Sequence, residues 1–191
     1  VGTNAGTAIT TGDENTALGY TALQAVDTAS HNVAIGKAAL LADTKGGQSV
    51  AVGANTLQSQ NLTTATNTFN VAVGYFAGQQ VTTGLKNVLI GGVAGDALTD
   101  ADLNVAVGHQ TLSADTLGSR SVAVGAFALQ AQNFTTATNS YNVAVGVDAG
   151  LLVTTGTLNT LIGGLAGDAL TDGEANVAIG YGALGAEDQA D

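Results

Sequence analysis

The sequence predicts an all-β fold, a parallel β-roll or β-solenoid of about ten coils, each of roughly 17–21 residues. Three observations predict it: one pentad recurs ten times at near-constant spacing, that pentad is apolar on both faces of a short strand, and large side chains are scarce. The chain has 191 residues with 27 Gly, four Tyr, four Phe and no Pro, Cys, Met or Trp. A core must then be assembled from many small and β-branched residues stacked in register rather than from a few large ones.

The pentad reads Asn/Ser, Val/Thr, Ala/Leu, Val/Ile/Leu, Gly, and starts at positions 15, 32, 49, 70, 87, 104, 121, 142, 159 and 176. Successive starts lie 17 apart, except for 21 from 49 to 70 and from 121 to 142. A period of roughly 20 residues is the signature of a solenoid. A second, longer period lies over the first, since Asn32 recurs at Asn104, Ser49 at Ser121 and Asn70 at Asn142. Four coils therefore make one super-repeat: 49–120 and 121–191 are copies, and 1–48 reads as the end of a preceding one. The whole chain, 1–191, is one solenoid segment, and such duplication predicts a longer parent.

Each element follows from the pentad. Val33 and Ile35 fall on one face of the strand and Ala34 on the other, and a strand apolar on both faces is buried on both. One face lines its own coil; the other needs a cover, for which a further copy of the chain is the expected candidate. Gly closes all ten pentads, as suits a backbone that turns with φ > 0 or lies against the next coil. The small residue three positions later (Ala22, Ala39, Thr56 and their equivalents) predicts a short return strand. Asn opens eight pentads and is expected to form an amide ladder between coils or to cap the preceding turn.

The pentads Asn-Val-Ala-Ile-Gly at 32–36 and Ser-Val-Ala-Val-Gly at 49–53 and 121–125, each followed by a small residue, resemble the head repeats of YadA-type trimeric autotransporter adhesins. They also resemble repeats of bacteriophage tail fibres and other virion proteins. The resemblance covers nearly the whole chain. It implies a left-handed roll, a homotrimer that covers the second apolar face, and an extracellular place on a cell surface or virion. The period departs from the adhesin head, which usually repeats at about 14 residues, so longer outward loops are expected here.

Charge and chemistry narrow the function. Fifteen acids against four bases give a net charge of −11, which disfavours nucleic acid and anionic membranes as partners. No apolar run reaches the roughly 18–20 residues of a membrane span, so any leader or anchor is expected outside this segment. His31 and His109 hold different positions in their coils and predict no catalytic or metal-binding pair. Gly180 to Gly185 matches a dinucleotide fingerprint as a string but lacks its helix. Asp96, Asp100, Asp102, Asp168, Asp172 and Glu174 supply too few oxygens per coil for calcium, and their loops lack the aromatic platforms of a glycosidase. No enzyme activity and no cofactor is expected.

The two longer coils carry the candidate ligand-binding loops, 58–69 and 130–141. The candidates are Gln58, Gln60, Asn61, Thr63, Thr64, Thr66 and Asn67, with Gln130, Gln132, Asn133, Thr135, Thr136, Thr138 and Asn139 in the second copy. The extra length must protrude, and polar loops on a rigid scaffold are where recognition resides. The expected function is a non-enzymatic structural and adhesive module of a trimeric fibre, continued end to end. The alternative is a receptor- or glycan-binding tip that takes a host-surface glycan or protein through these loops. An ice-binding Thr array is not expected, since Thr63-Thr64-Ala65-Thr66 recurs only once per super-repeat, at Thr135-Thr136-Ala137-Thr138.

Overall fold

The pentads become the strands. In the computed structural model, which describes residues 2–185, the central three residues of every pentad are extended. They form β1 (Thr16–Leu18), β2 (Val33–Ile35), β4 (Val50–Val52), β6 (Val71–Val73), β7 (Val88–Ile90), β8 (Val105–Val107), β10 (Val122–Val124), β12 (Val143–Val145), β13 (Thr160–Ile162) and β14 (Val177–Ile179). These ten strands make one parallel sheet in sequence order. The register is the sequence repeat itself: Val33 pairs with Val50, Ala34 with Ala51, Ile35 with Val52. Residue 1 and residues 186–191, at the ends of the outer repeats, lie outside the described residues.

Each coil takes its central Ala or Leu inward. Ala34, Ala51, Ala72, Leu89, Ala106, Ala123, Ala144 and Leu161 are fully buried, and a column of corner leucines (Leu23, Leu40, Leu57, Leu112, Leu129) packs beside them. The flanking Val and Ile side chains point out of the coil, as the alternation of a strand requires. The pentad glycines stack too: a Cβ on Gly91 would overlap the carbonyl oxygen of Gly108, and its φ of 138° is glycine territory in any case.

The expected return strand is absent. Residues three positions after each Gly lie in a stacked turn, because the residues on either side are left-handed and break any extended run. Every coil has three left-handed corners: the residue before the pentad, and the second and fourth residues after its Gly. All 26 non-glycine residues with positive φ among the described residues fall at these corners, so the conformation belongs to the coil and not to local sequence. A left-handed residue costs about 1–2 kcal/mol, and the offset is a ladder between coils. Ala38 N–H donates back to Tyr20 O at 2.8 Å, and Leu40 N–H donates forward to Thr56 O at 3.0 Å. Asn4 and Gly6 repeat the second and third of these corners one coil before Thr21 and Leu23, a partial coil ahead of β1 that the pentad count misses.

The asparagine ladder joins side chain to backbone and caps the following coil; between its asparagines an amide-to-amide bond joins only Asn176 Nδ2 to Asn159 Oδ1, at 3.1 Å, among the described residues. Asn87 Nδ2 donates to Ala101 O at 2.7 Å, while its Oδ1 accepts the N–H of Asn104 at 2.9 Å. The same pair of bonds recurs at Asn32, Asn70, Asn104, Asn142 and Asn159. Since a buried amide N–H or carbonyl without a partner is costly, each Asn holds the next coil in place.

Candidate functional site

The two long coils differ from the rest from the inside outward. Seven positions after each pentad Gly runs an interior column: Val26, Asp43, Gln60, Val81, Leu98, Asp115, Gln132, Val153. At the coil before each insertion and at the inserted coil, the apolar residue is replaced by an Asp and a Gln, all fully buried. Gln60 Nε2 donates to Asp43 and, at 3.0 Å, to Ser49 Oγ; Gln60 Oε1 accepts from Asn70 Nδ2 at 2.9 Å. Ser49 meets Thr68, and Asp43 accepts Gly46 N–H at 2.8 Å. The second copy repeats this through Asp115, Gln132, Ser121, Ser140 and Asn142.

The reason is the serine. Ser49 and Ser121 stand where other pentads have Asn, and the short hydroxyl cannot span to the next coil. Gln60 and Gln132, 11 residues further along the same coils, reach Asn70 and Asn142 of the next pentads instead. Burial pushes the carboxyls of Asp43 and Asp115 up from the ordinary range, against the lowering effect of the Gln amide and backbone N–H groups. Sequence reasoning missed this node; the column seven positions after each Gly was its signal.

The insertions leave the stack just beyond the node and rejoin it by pairing. β3 (Gly46–Gly47) pairs in parallel with β5 (Thr66–Asn67), and β9 (Gly118–Ser119) with β11 (Thr138–Asn139). Leu62 and Phe134 are buried and anchor the loops. The tips project: Thr63, Thr64 and Ala65, with Thr135, Thr136 and Ala137 in the second copy, are consecutive exposed residues.

The candidate residues therefore divide. Gln60 and Gln132 are removed from the surface, because their amides are used inside. Gln58 and Gln130 are half-buried and bridge to Gln79 and Gln110 at 3.1 and 3.3 Å. Asn61 and Asn133 are exposed and accept the Thr44 and Thr116 hydroxyls. Thr66 and Thr138 are half-buried, bonded to Thr64 O and Thr136 O. Asn67 and Asn139 are exposed, and Arg120 Nε donates to Asn139 at 3.0 Å while its guanidinium lies 5.7 Å from the Tyr141 ring.

The acids do not converge. Among the described residues no cluster of three metal-ligating side chains occurs. Asp102 accepts Leu85 N–H at 2.7 Å, and Asp100 accepts the Thr83 hydroxyl, so both cap the coil before them. The histidines are apart: His31 lies 3.3 Å from Glu14, and His109 stacks edge-on with Phe127.

The largest continuous feature is the outer face of the ten-stranded sheet. Its outward columns are Val, Ile or Leu everywhere except Thr16 and Thr160, and carry no charge. Leu18, Ile90, Val145, Ile162, Val177 and Ile179 are exposed. Fold and site together define a repeat protein of the parallel β-solenoid class with one unpartnered apolar sheet face. Comparison with protein-family models, curated proteins and solved structures gives no match to this chain.

Proposed function

We propose that the chain is a structural and adhesive module of an extracellular fibre, on a cell surface or virion, in which three copies assemble through the outer face of the ten-stranded sheet. The observation that carries this is the uncharged Val/Ile face. Ten strands at about 4.8 Å and a width of about 14 Å give a strip on the order of 650 Å². That approaches the roughly 800 Å² per partner of a stable interface, and it is more apolar than a monomer's surface ordinarily is.

A copy of the same chain is the fitting cover. A strip that repeats at every strand is met without mismatch by one of identical period. The charges of the copies, −11 net for each, lie outside the pentads and leave the strip clear. The resemblance of the pentads to YadA-type head repeats supports three chains about one axis. The edge strands β1 and β14 support end-to-end continuation, since an open parallel edge pairs readily with a further coil.

The test is sedimentation equilibrium. A mass of three times 18.6 kDa is expected, and replacing Ile90 and Val107 with Asp should convert it to a single chain. A native mass of one chain would overturn the assembly.

A further inference from the structure

Two columns of side chains border the apolar strip: the corner residue directly before each pentad and the residue directly after its Gly. These twenty positions hold all four tyrosines, Phe69, both histidines and three of the four Lys and Arg, but only one of the fifteen acids, Glu14. Tyr20, Phe69, Tyr75, Tyr141 and Tyr181 are all exposed, although rings of this size ordinarily supply buried contact area.

The cations are as unmatched as the rings. Lys37, Lys86 and Arg120 are exposed, and among the described residues the only ion pair joins His31 to Glu14. None of the three therefore meets a carboxylate, in a chain where acids outnumber bases by fifteen to four. Arg120 turns instead to the Asn139 amide oxygen and the Tyr141 ring of the next coil. Tyr and Arg with acids excluded is the composition of a protein interface and not of a solvated edge. Area points the same way. One further residue on each side, at about 3.4 Å, widens the strip from about 14 to about 21 Å and brings it to on the order of 1,000 Å², past the roughly 800 Å² of a stable interface.

We propose that these two columns are the joints between neighbouring copies of the chain, the column before the strand in one copy packing against the column after the strand in the next, with all copies running in the same direction. The inference rests on the assembly proposed above and adds which residues set its orientation. In a ring each chain turns one side to each neighbour, so unlike columns meet; antiparallel copies would bring like columns together. At equal coils the unlike columns set Phe69 beside Tyr75, an aromatic pair, and Arg120 beside Ala126 and Phe127, where the guanidinium finds a ring. Lys37 stands one coil, about 4.8 Å, from the height of the neighbour's Glu14.

The chain has no Cys, so disulfide trapping reads the joint directly. Arg120→Cys is combined in turn with His109→Cys, Ala126→Cys and Val147→Cys, the positions after the strand one coil earlier, in the same coil and one coil later. Within one chain the width of the strip separates each pair by more than the 7 Å or so between Cα atoms that a disulfide spans. Exhaustive oxidation of at least one double variant is expected to give a covalent three-chain product, and Arg120→Cys alone is expected to give no cross-link. Tyr75→Ser with Tyr141→Ser should weaken association by about tenfold or more in sedimentation equilibrium, the scale of a tyrosine anchor. A three-chain mass with no cross-link in any double variant would overturn the joint and leave the assembly standing, whereas a one-chain mass for the native protein would overturn both. Cross-linked dimers from Arg120→Cys alone would show that like columns meet, and a double-variant product that stops at two chains would rule out the ring. Association unchanged by the tyrosine substitutions would remove the columns from the interface.

Discussion

Leu89 fills the space above Gly95. In most coils the strand centre is Ala and the fourth residue after the Gly is Leu; in this coil the two sizes are exchanged. A Cβ on Gly95 would run into both Leu89 methyls, and one on Gly78 would meet Leu89 as well, so one leucine covers two corner glycines. Leu161 does the same for Gly150 and Gly167, one super-repeat on. One leucine at a strand centre thus occupies part of the space that two corner leucines fill elsewhere in the stack.

Leu89→Ala should therefore leave a cavity that no neighbour can fill, at a cost of about 2–5 kcal/mol. Ala123→Leu should overpack against both Leu112 and Leu129, the positions equivalent to Gly78 and Gly95, and cost about 1–3 kcal/mol. Adding Leu112→Gly and Leu129→Gly should recover much of that loss. Urea unfolding of the three variants measures it, and a triple variant no better than the single one would remove the exchange as an explanation.

The glycine column separates stacking from backbone conformation. Gly91 and Gly180 share the same φ region, but a Cβ on Gly91 meets the next coil whereas one on Gly180 meets nothing. Gly180→Ala should cost about 1–3 kcal/mol, the conformational part alone. Gly91→Ala should exceed it by about 2 kcal/mol or more, through overlap with Gly108 O. Equal losses in the two variants would show that φ alone explains the glycines.

Asn87 and Asn176 make a similar pair. Asn87→Ala strands the N–H of Asn104 and the carbonyl of Ala101, two buried groups at about 1–3 kcal/mol each. Asn176 has no described coil beyond it to cap, and its alanine variant should fall within about 0.5 kcal/mol of the parent. Thermal melts of both variants decide whether the ladder or the residue type matters.

The strands, their register and the inward Ala were legible because the alternation within the pentad and the regular spacing between pentads point to the same arrangement. The left-handed corners were not. Beside a few Asn, Asp, His and Gly they are occupied by Thr21, Leu23, Phe76, Val93 and Arg120, residues without preference for that region, and hydrogen bonds to neighbouring coils select it. The loops were half legible. Their extra length announced protrusion, but the buried Leu62 and Phe134 anchors and the inward turn of Gln60 and Gln132 depend on the interior column. That column shows only when the coils are aligned seven places after each Gly.

The same column sets the response to pH. Burial holds the Asp43 and Asp115 carboxyls above the ordinary Asp value of 3.8, so the folded chain binds protons that the unfolded chain has already released. Between 3.8 and the raised folded value the native state carries more protons, and stability therefore rises as pH falls through this window. Above the folded value the penalty for two buried charges is fully present; below 3.8 it is gone. The chain's net charge of −11 also weakens as pH falls, and self-repulsion with it, so the comparison must be internal. An Asp43→Asn, Asp115→Asn chain keeps the size of both groups and removes their charge. Its melting temperature should depend less steeply on pH than the parent's from pH 3.5 to 7, the two curves diverging as pH rises through the window and keeping a constant separation above it. Parallel curves across the whole range would show that the buried pair does not titrate and that the Gln amides hold both carboxylates ionised.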